Sequence, residues 1–263
     1  MIDLHTHILP GVDDGLETED ESVEFARVAR DDGIRVIVAT PHCRDGFFVN
    51  DREAVLGGVR RLGERLSREK IEVDLRPGAE VHLCAELVER VRDGRAPTLD
   101  DNGRTLLLEL SLSQYPVEME NVLFQLKLAG LEVLLAHPER IRYFQEDGRR
   151  YEALIRQGAF GQITTGSLLG VFGDTAREFA EELLRKGLVH VLASDAHKVR
   201  GGRSPRLRPA LEACVPLVGE RFAMSMVEAT PLALLNGETP EIPPVEGQVI
   251  RRRSFISKLL GRG

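Results

Sequence analysis

The sequence lacks tryptophan and contains only three tyrosines and three cysteines among its 263 residues. The cysteines (Cys43, Cys84 and Cys214) are odd in number and widely spaced, which predicts a reducing compartment and no disulfide framework. No apolar run approaches the roughly 18 residues that a membrane span requires. The chain also starts without the charged segment and long apolar run of a secretion signal. We therefore expect a cytoplasmic protein.

Positive charge is also scarce. The 35 lysines and arginines are outnumbered by 42 aspartates and glutamates, and the formal net charge is -7. A chain with this balance and no evident basic groove is not expected to bind a nucleic-acid backbone. The hydrophobic content of 42% is enough for a large core, which length alone would allow as one barrel domain or as two smaller domains.

Short apolar runs alternate with helix-like segments along the chain. The predicted strands cover residues 2–4, 34–39, 73–79, 106–110, 133–136, 159–163 and 189–193. The predicted helices cover residues 19–32, 52–70, 116–129, 149–157 and 175–186. Several of these strands lack polar alternation, which is typical of strands buried on both faces of a parallel sheet. Gly33, Gly130, Gly158 and Gly187 follow four of the helices as stop signals.

This repeated order predicts an α/β fold. Seven strands with intervening helices favour a closed or nearly closed barrel, and a doubly wound open sheet is the alternative. No linker divides the chain before residue 238, so residues 1–250 are expected to form a single domain. Residues 251–263 form a basic amphipathic tail, for which a loose terminus is the simplest interpretation. Weak contact with an acidic membrane surface or with a partner is the alternative.

His5 and His7 stand at the end of the first apolar run. Side chains two residues apart on a strand point to the same face, so both imidazoles can reach one metal ion. A single His-x-His pair is weak evidence, because many such pairs are structural. The pair gains weight because similar polar residues recur at the ends of the other apolar runs.

In barrels and open α/β sheets, functional sites form at the carboxyl ends of the strands. The candidate residues at these ends are His5, His7, Asp14, His42, Glu80, Glu109, His137, Arg140, Asp195 and His197. Histidine and carboxylate donors without cysteine suit Zn, Mn or Fe. Any one of these histidines could instead be a hydrogen-bonded structural residue, but the whole set is hard to explain by packing. His82 and His190 are interpreted as non-ligands, because His82 lies beyond Glu80 and His190 begins a strand.

Several motifs resemble the polymerase and histidinol phosphatase (PHP) superfamily of metal-dependent phosphoesterases. More closely, they are similar to the bacterial manganese-dependent protein-tyrosine phosphatases encoded with capsule and exopolysaccharide biosynthesis genes. The motifs are residues 3–15 (DLHTHILPGVDDG), 39–42 (ATPH), 78–80 (GAE), 136–140 (AHPER) and 194–197 (SDAH). Asp14, where many relatives have histidine, points to the tyrosine phosphatase branch.

The resemblance implies a distorted (β/α)7 TIM-like barrel that holds three divalent metal ions. Mn2+ is the implied metal, and Fe and Zn are alternatives that the same donors accept. The first metal would be bound by His5, His7, Glu80 and Asp195. The second would be bound by Glu80, Glu109 and His137, with Glu80 bridging, and the third by Asp14, His42 and His197.

The implied reaction is hydrolysis of phosphotyrosine on a protein by a hydroxide that bridges two metal ions. Arg140 and Arg203 are the expected phosphate clamps, because a guanidinium can donate two parallel hydrogen bonds to phosphate. His197, or a neighbouring carboxylate, is a candidate acid for the leaving oxygen. By resemblance, the substrate would be the Tyr-rich C-terminal tail of a bacterial tyrosine kinase that controls polysaccharide export.

Two alternative functions stay open. A small-molecule phosphomonoesterase, such as a histidinol-phosphatase, would use the same barrel and metals with different loops. A non-catalytic, metal-stabilised regulator that binds phosphotyrosine would also use the fold. Cys84 and Arg90 match the Cys-x5-Arg spacing of cysteine-based phosphatases, but the residues between them lack glycine and include two acids, which would repel phosphate.

Overall fold

A computed structural model describes residues 1–44 and 46–246 of the chain. Its strands are β1 (Ile2–Thr6), β2 (Val36–Ala39), β3 (His42–Cys43), β4 (Asp74–Pro77), β5 (Glu80–His82), β6 (Thr105–Glu109), β7 (Glu132–Ala136), β8 (Phe160–Thr164) and β9 (Val191–Ala193). Its α-helices are α1 (Glu19–Asp32), α2 (Arg52–Arg68), α3 (Leu87–Arg92), α4 (Met119–Leu128), α5 (Arg142–Glu146), α6 (Gly148–Arg156), α7 (Thr165–Leu168), α8 (Asp174–Arg185), α9 (Arg208–Val218), α10 (Glu220–Ser225) and α11 (Ala229–Leu235). Single 3-10 turns cover Leu99–Asp101 and Pro138–Arg140.

Neighbouring strands are parallel, in the orders β1-β2-β4 and β3-β5-β6-β7-β8-β9. The chain passes from β2 to β3 through Thr40 and Pro41, and from β4 to β5 through Gly78 and Ala79, so the nine segments make seven strands. Pro41 has no N–H to donate to a strand ladder. Gly78 is tightly enclosed, because an added Cβ would lie 3.0 Å from Leu99. The barrel is distorted at these two breaks.

The barrel closes between β1 and the residues that follow β9. The Asp195 N–H donates to the His5 carbonyl at 2.9 Å, and the His7 N–H donates to the Ala196 carbonyl at 2.9 Å. A parallel bridge between Thr6 and Ala196 continues the ladder. This closed ring confirms the predicted distorted (β/α)7 TIM-like barrel, and the open-sheet alternative is wrong.

The barrel interior is apolar below the candidate site. One buried cluster draws residues from the strands around the ring, including Leu4, Leu107 and Ala193, while a larger cluster lies between the strands and the helices. Because strand side chains alternate with a period of two, Glu109 follows Leu107 on the interior face, and Asp195 lies in the turn two residues after Ala193. The change from apolar to polar residues along each strand therefore places the polar groups at one end of the barrel.

Helix α1 shows how local sequence sets its own boundaries. The Glu21 N–H donates to the Thr18 hydroxyl at 3.2 Å, and the Glu21 carboxylate accepts from the Thr18 N–H at 3.1 Å, which forms a capping box. Gly33 ends the helix with φ of 98°, a conformation that favours glycine, as the predicted stop signal requires.

Some elements differ from the sequence-based prediction. The predicted strand 73–79 ends at Pro77, and the predicted helix 116–129 begins at Met119. Helices α9, α10 and α11 are absent from that prediction, and α9 and α11 contain prolines that suggest helix breaks. Pro209 and Pro231 lie in the first turns of α9 and α11, where a missing N–H costs no helical hydrogen bond, and Pro216 lies within α9.

The predicted tail 251–263 lies outside the described residues. Within them, no helix is long and apolar enough to cross a membrane. No disulfide joins Cys43, Cys84 and Cys214, all of which lie in the described part of the chain.

Candidate active site

The carboxyl ends of the strands bring the predicted metal-binding side chains into one cluster. Two of these residues sit where the backbone leaves the strand in a left-handed conformation: His137 has φ of 34° and Asp195 has φ of 49°. This region is unfavourable for residues with a side chain, and such residues concentrate at functional sites. The two turns redirect the chain directly after β7 and near the end of β9.

The first group contains His5, His7, Glu80 and Asp195. His5 Nε2 lies 3.3 Å from His7 Nε2 and 3.3 Å from Glu80 Oε2. Asp195 Oδ1 lies 3.6 Å from His5 Nε2 and 3.5 Å from His7 Nε2. Donors placed about 2.1 Å from a tetrahedral metal are about 3.4 Å from one another. These four side chains are therefore spaced as the ligands of a single ion would be.

Two residues absent from the predicted set orient these imidazoles. His5 Nδ1 lies 2.9 Å from Gln162 Oε1, and His7 Nδ1 lies 2.7 Å from Asp13 Oδ2. Both partners can accept a hydrogen bond from Nδ1–H, so in the metal-loaded state each Nε2 would direct its lone pair at the ion. Asp13 stands next to the predicted ligand Asp14, so the sequence motif already drew attention to it. No comparable sequence pattern points to Gln162 as a partner of His5.

The second group is built around Glu80. Its Oε1 lies 2.7 Å from His137 Nε2, and its Oε2 lies 2.9 Å from His42 Nδ1. Glu109 Oε2 lies 3.8 Å from His42 Nδ1 and 3.1 Å from His82 Nδ1. The structure thus brings Glu109 and His137 to the same carboxylate, and it also places His82, interpreted from the sequence as a non-ligand, beside Glu109.

The third group contains Asp14, His42 and His197, joined by His7. Asp14 Oδ1 lies 3.4 Å from His42 Nε2 and 3.2 Å from His197 Nε2. The His7 and His197 rings are 3.7 Å apart between centroids. His197 Nδ1 lies 3.0 Å from the Asp195 carbonyl and therefore donates to it, which leaves Nε2 directed at Asp14.

Two buried atoms support a cation in this cluster. Glu80 Oε2 has no hydrogen bond of suitable geometry although imidazole nitrogens of His5, His7 and His42 lie within 3.6 Å of it. His137 Nδ1 also has no hydrogen-bond partner within the described residues. A buried carboxylate oxygen without a donor is costly, and a metal ion would satisfy it. The donor set therefore fits divalent cations of the Mn, Fe or Zn type.

The electrostatics of the cluster are dominated by imidazole–carboxylate pairs. Burial on its own lowers the pKa of His5, but the Glu80 and Asp195 carboxylates outweigh it and raise that pKa to about 9. Burial opposes protonation of His42 as well, yet Asp14 and Glu80 raise its pKa to about 11. Burial raises the pKa of Glu80, but His5 and other imidazoles reverse this and hold it well below its usual value. Without metal ions, protonated imidazoles would balance the charge of these carboxylates, and bound cations would take over that role.

Arg140 and Arg203 meet at the Asp195 carboxylate. Arg140 Nη1 donates to Asp195 Oδ2 at 2.6 Å, and Arg203 Nη2 donates to Asp195 Oδ1 at 3.0 Å. Arg203 Nη2 also lies 3.1 Å from His197 Nε2. Both predicted phosphate clamps therefore stand at the edge of the histidine–carboxylate cluster.

Glu139 holds the loop that carries His137 and Arg140. This buried carboxylate accepts from the Thr164 N–H and hydroxyl, both at 3.0 Å, and from the Ser167 hydroxyl at 2.6 Å. These bonds tie the turn after β7 to the end of β8. Glu139 belongs to a motif recognised in the sequence, but its partners become visible only in the fold.

The remaining candidates lie apart from the cluster. Arg90 Nη1 lies 3.9 Å from Cys84 Sγ, and Arg90 Nη2 lies 3.6 Å from Cys43 Sγ. Residues 87–90 lie in α3, so the Cys-x5-Arg segment runs into a helix and forms no phosphate cradle. His190 lies just before β9, where its Nδ1 accepts from the Gly161 N–H at 2.9 Å.

A closed parallel barrel with imidazoles and carboxylates at the carboxyl ends of its strands defines a TIM-like barrel protein with a donor set for divalent metal ions. The chain belongs to the CpsB/CapC family of capsular polysaccharide synthesis, whose model matches residues 1–236. This membership confirms the resemblance inferred from the sequence motifs.

Relatives of the chain carry consistent names. Tyrosine-protein phosphatase YwqE of Bacillus subtilis is 35% identical over 256 residues, covering 97% of this chain and 99% of YwqE. Tyrosine-protein phosphatase CpsB of Streptococcus pneumoniae is 28% identical over 240 residues, covering 89% of this chain and 98% of CpsB. One solved structure, from work describing YwqE and CpsB as unique metal-dependent tyrosine phosphatases, matches with a TM-score of 0.88. It is 34% identical and covers 93% of this chain and 98% of that chain.

Proposed function

We propose that this protein is a metal-dependent phosphatase that hydrolyses phosphotyrosine on proteins. The observation that carries the proposal is the convergence of nine potential ligands on one end of the barrel, with two arginines at the edge of the cluster. The ligands are His5, His7, Asp14, His42, Glu80, Glu109, His137, Asp195 and His197. Full-length similarity to proteins named tyrosine-protein phosphatases supports the same activity.

We assign these ligands to three divalent cations, with Mn2+ as the working metal. Bound divalent cations lower the pKa of water and neutralise phosphate oxygens. The chain itself contributes the orientation of the ligands: Gln162 and Asp13 fix the His5 and His7 tautomers, and Glu139 holds the His137 turn. Glu80 is assigned as the bridging carboxylate, because its two oxygens face different imidazoles.

Arg140 and Arg203 are assigned to the phosphate group of the substrate. Both guanidiniums are partly exposed, at 17% and 27% of the side chain, so they are accessible from solvent while held by Asp195. Planar guanidiniums can each donate two hydrogen bonds to a phosphate dianion. We infer that they bind and orient the phosphate for attack.

His197 is better suited to ligation than to acid catalysis. Its Nδ1 hydrogen is engaged by the Asp195 carbonyl, and burial lowers its pKa, so Nε2 is unprotonated near neutral pH. A neutral Nε2 can bind a metal but has no proton for a leaving group. Tyrosine has a pKa near 10, so its phenolate leaves more readily than an alkoxide and needs less help from an acid.

The proposed natural substrate is the Tyr-rich tail of a bacterial tyrosine kinase in capsular or exopolysaccharide synthesis, which the protein would meet in the cytoplasm. Membership of a capsular polysaccharide synthesis family supports that setting.

The test compares turnover of phosphotyrosine peptides, phosphoserine peptides and histidinol phosphate by the purified full-length chain. We expect phosphotyrosine to be preferred, with activity abolished by a chelator and restored by Mn2+. A preference for histidinol phosphate, or activity that survives the chelator, would overturn the proposal. Binding of phosphotyrosine peptide without turnover at any metal would identify a regulator instead.

A further inference from the structure

Phe172 lies in the segment between α7 and α8, beside the two active-site arginines. The Arg140 Cζ is 4.2 Å from the centroid of the Phe172 ring, and the Arg203 Cζ is 5.8 Å from the same centroid. Both distances lie within the range of about 6 Å over which a cation is attracted to an aromatic face. One ring therefore contacts the two guanidiniums that also share the Asp195 carboxylate.

The surrounding backbone leaves space for this ring. A Cβ added to Gly166 would lie 2.8 Å from Phe172 Cε2, and one added to Gly202 would lie 2.7 Å from Val171 Cγ2. Any larger residue at position 166 would therefore displace the ring. The Val171 N–H donates to the Gly166 carbonyl at 2.8 Å, which holds the segment against α7. Close packing therefore holds Phe172 against Gly166 and its neighbour Val171 against Gly202.

An aromatic contact has a specific advantage for a phosphate clamp. A carboxylate that orients an arginine also neutralises its charge and competes with the phosphate for its N–H groups. An aromatic face orients the planar guanidinium without adding a negative charge, and it leaves the N–H groups at the edge of the plane available. Among the described residues, Asp195 is the only carboxylate that forms a salt bridge with Arg140 or Arg203.

We infer that Phe172 is a positioning residue that holds Arg140 and Arg203 in the orientation that binds the phosphate group of the substrate. The inference rests on the proposed phosphatase function and on the assignment of both arginines to phosphate. It predicts that loss of the ring weakens phosphate binding without removing any metal ligand.

The test measures binding of inorganic phosphate to the Mn2+-loaded full-length protein by calorimetry, together with kcat and KM for a phosphotyrosine peptide. Phe172→Leu is expected to weaken phosphate binding roughly five- to thirtyfold, in line with one or two lost cation–π contacts, with a parallel rise in KM and unchanged metal content. Phe172→Tyr is expected to restore binding. Gly166→Ala should behave like Phe172→Leu, while Phe124→Leu, an exposed phenylalanine on α4, is the matched control.

A double-mutant comparison separates positioning from a general structural effect. In an Arg140→Ala background, Phe172→Leu should lower phosphate affinity by a smaller factor than it does in the wild type, because the two side chains act through one contact. The inference would be overturned if Phe172→Leu lowered phosphate affinity by the same factor in both backgrounds, or if Phe172→Leu kept the wild-type affinity. Failure of the wild-type protein to hydrolyse phosphotyrosine would overturn the proposed function instead, and the phosphate-binding results would still decide whether Phe172 orients the arginines.

Discussion

Glu80 Oε1 lies 2.7 Å from His137 Nε2, and both side chains are almost completely removed from solvent. The other oxygen of the same carboxylate faces His42. One carboxylate from β5 therefore lies between the imidazole that begins β3 and the imidazole that follows β7, as a ligand bridging two metal ions would.

Replacing this carboxylate tests the bridge directly. Glu80→Gln keeps the size of the side chain but removes the charge and one acceptor oxygen. We expect metal content to fall and kcat/KM to drop by more than about 100-fold, beyond the loss typical of an outer-shell residue. Metal analysis by mass spectrometry and peptide turnover measure the two effects. Glu132→Gln, a buried carboxylate at the start of β7 that pairs with Lys127, should retain both metal and activity.

The Asp13–His7 contact should tune metal affinity. Asp13→Asn weakens the acceptor that fixes the Nδ1–H tautomer of His7, so Nε2 becomes a poorer ligand. We expect metal affinity to fall about 10- to 100-fold, with much of the activity recovered at saturating Mn2+. Metal titrations followed by activity check this. Asp20 is an exposed carboxylate on α1, and Asp20→Asn is the control. Equal metal affinities of Asp13→Asn and Asp20→Asn would contradict the role of Asp13 in orienting His7.

Metal binding should release protons. In the metal-free site the pKa of His5 is raised to about 9 and that of His42 to about 11, so both imidazoles are protonated at pH 7. A metal binds only the neutral imidazole and must displace these protons, so its affinity should rise with pH up to the pKa of each group. Calorimetric titration with Mn2+ in buffers of different ionisation enthalpy measures the release. Binding heats that do not change with the buffer would contradict the predicted proton release.

His190 should make the protein sensitive to acid. Burial lowers its pKa to about 4, below the value near 6.5 of the unfolded chain. In this neutral form the His190 Nδ1 accepts from the Gly161 N–H at 2.9 Å. The unfolded state therefore binds the proton more tightly between these values. The contribution of His190 is fully present above pH 6.5 and is lost as the pH falls towards 4, for a total of about 3 kcal/mol.

His190→Asn tests this contribution, because the Asn side-chain oxygen can replace Nδ1 as the acceptor but does not titrate. In urea unfolding with a chelator present throughout, the variant should lose less stability than the wild type between pH 6.5 and 4. Parallel pH profiles would rule out the proposed role of His190.

Cys84 should not be a catalytic nucleophile. Cys84→Ser is expected to leave kcat/KM for phosphotyrosine peptide unchanged, whereas His42→Ala should abolish turnover because it removes a ligand shared by two groups of the cluster. Turnover assays of both variants with added Mn2+ decide between the mechanisms. Loss of activity in Cys84→Ser with retention in His42→Ala would reverse the metal assignment.

Much of this organisation follows from local patterns. The alternation of apolar runs and helix signals indicated a parallel barrel, and the carboxyl ends of parallel strands necessarily meet at one end. The period of two placed His5 and His7 on the same face. These features depend on a few neighbouring residues, so they can be read directly from sequence.

Other features depend on residues that are distant in the chain. The hydrogen bonds of His5 with Gln162, of Glu139 with Thr164 and of His82 with Glu109 form because separate strands and turns pack together. Prolines concealed helices α9 and α11, because a helix tolerates proline only at certain positions, such as its first turn.

The sequence by itself determined a parallel α/β fold, favoured a barrel and set the residue types at its carboxyl end, because strand periodicity and residue chemistry are local properties. Only the tertiary structure decided which oxygen of Glu80 faces which imidazole, and that Phe172 lies beside both arginines. Those relationships depend on how loops from different strands pack against one another, and no sequence period records that packing.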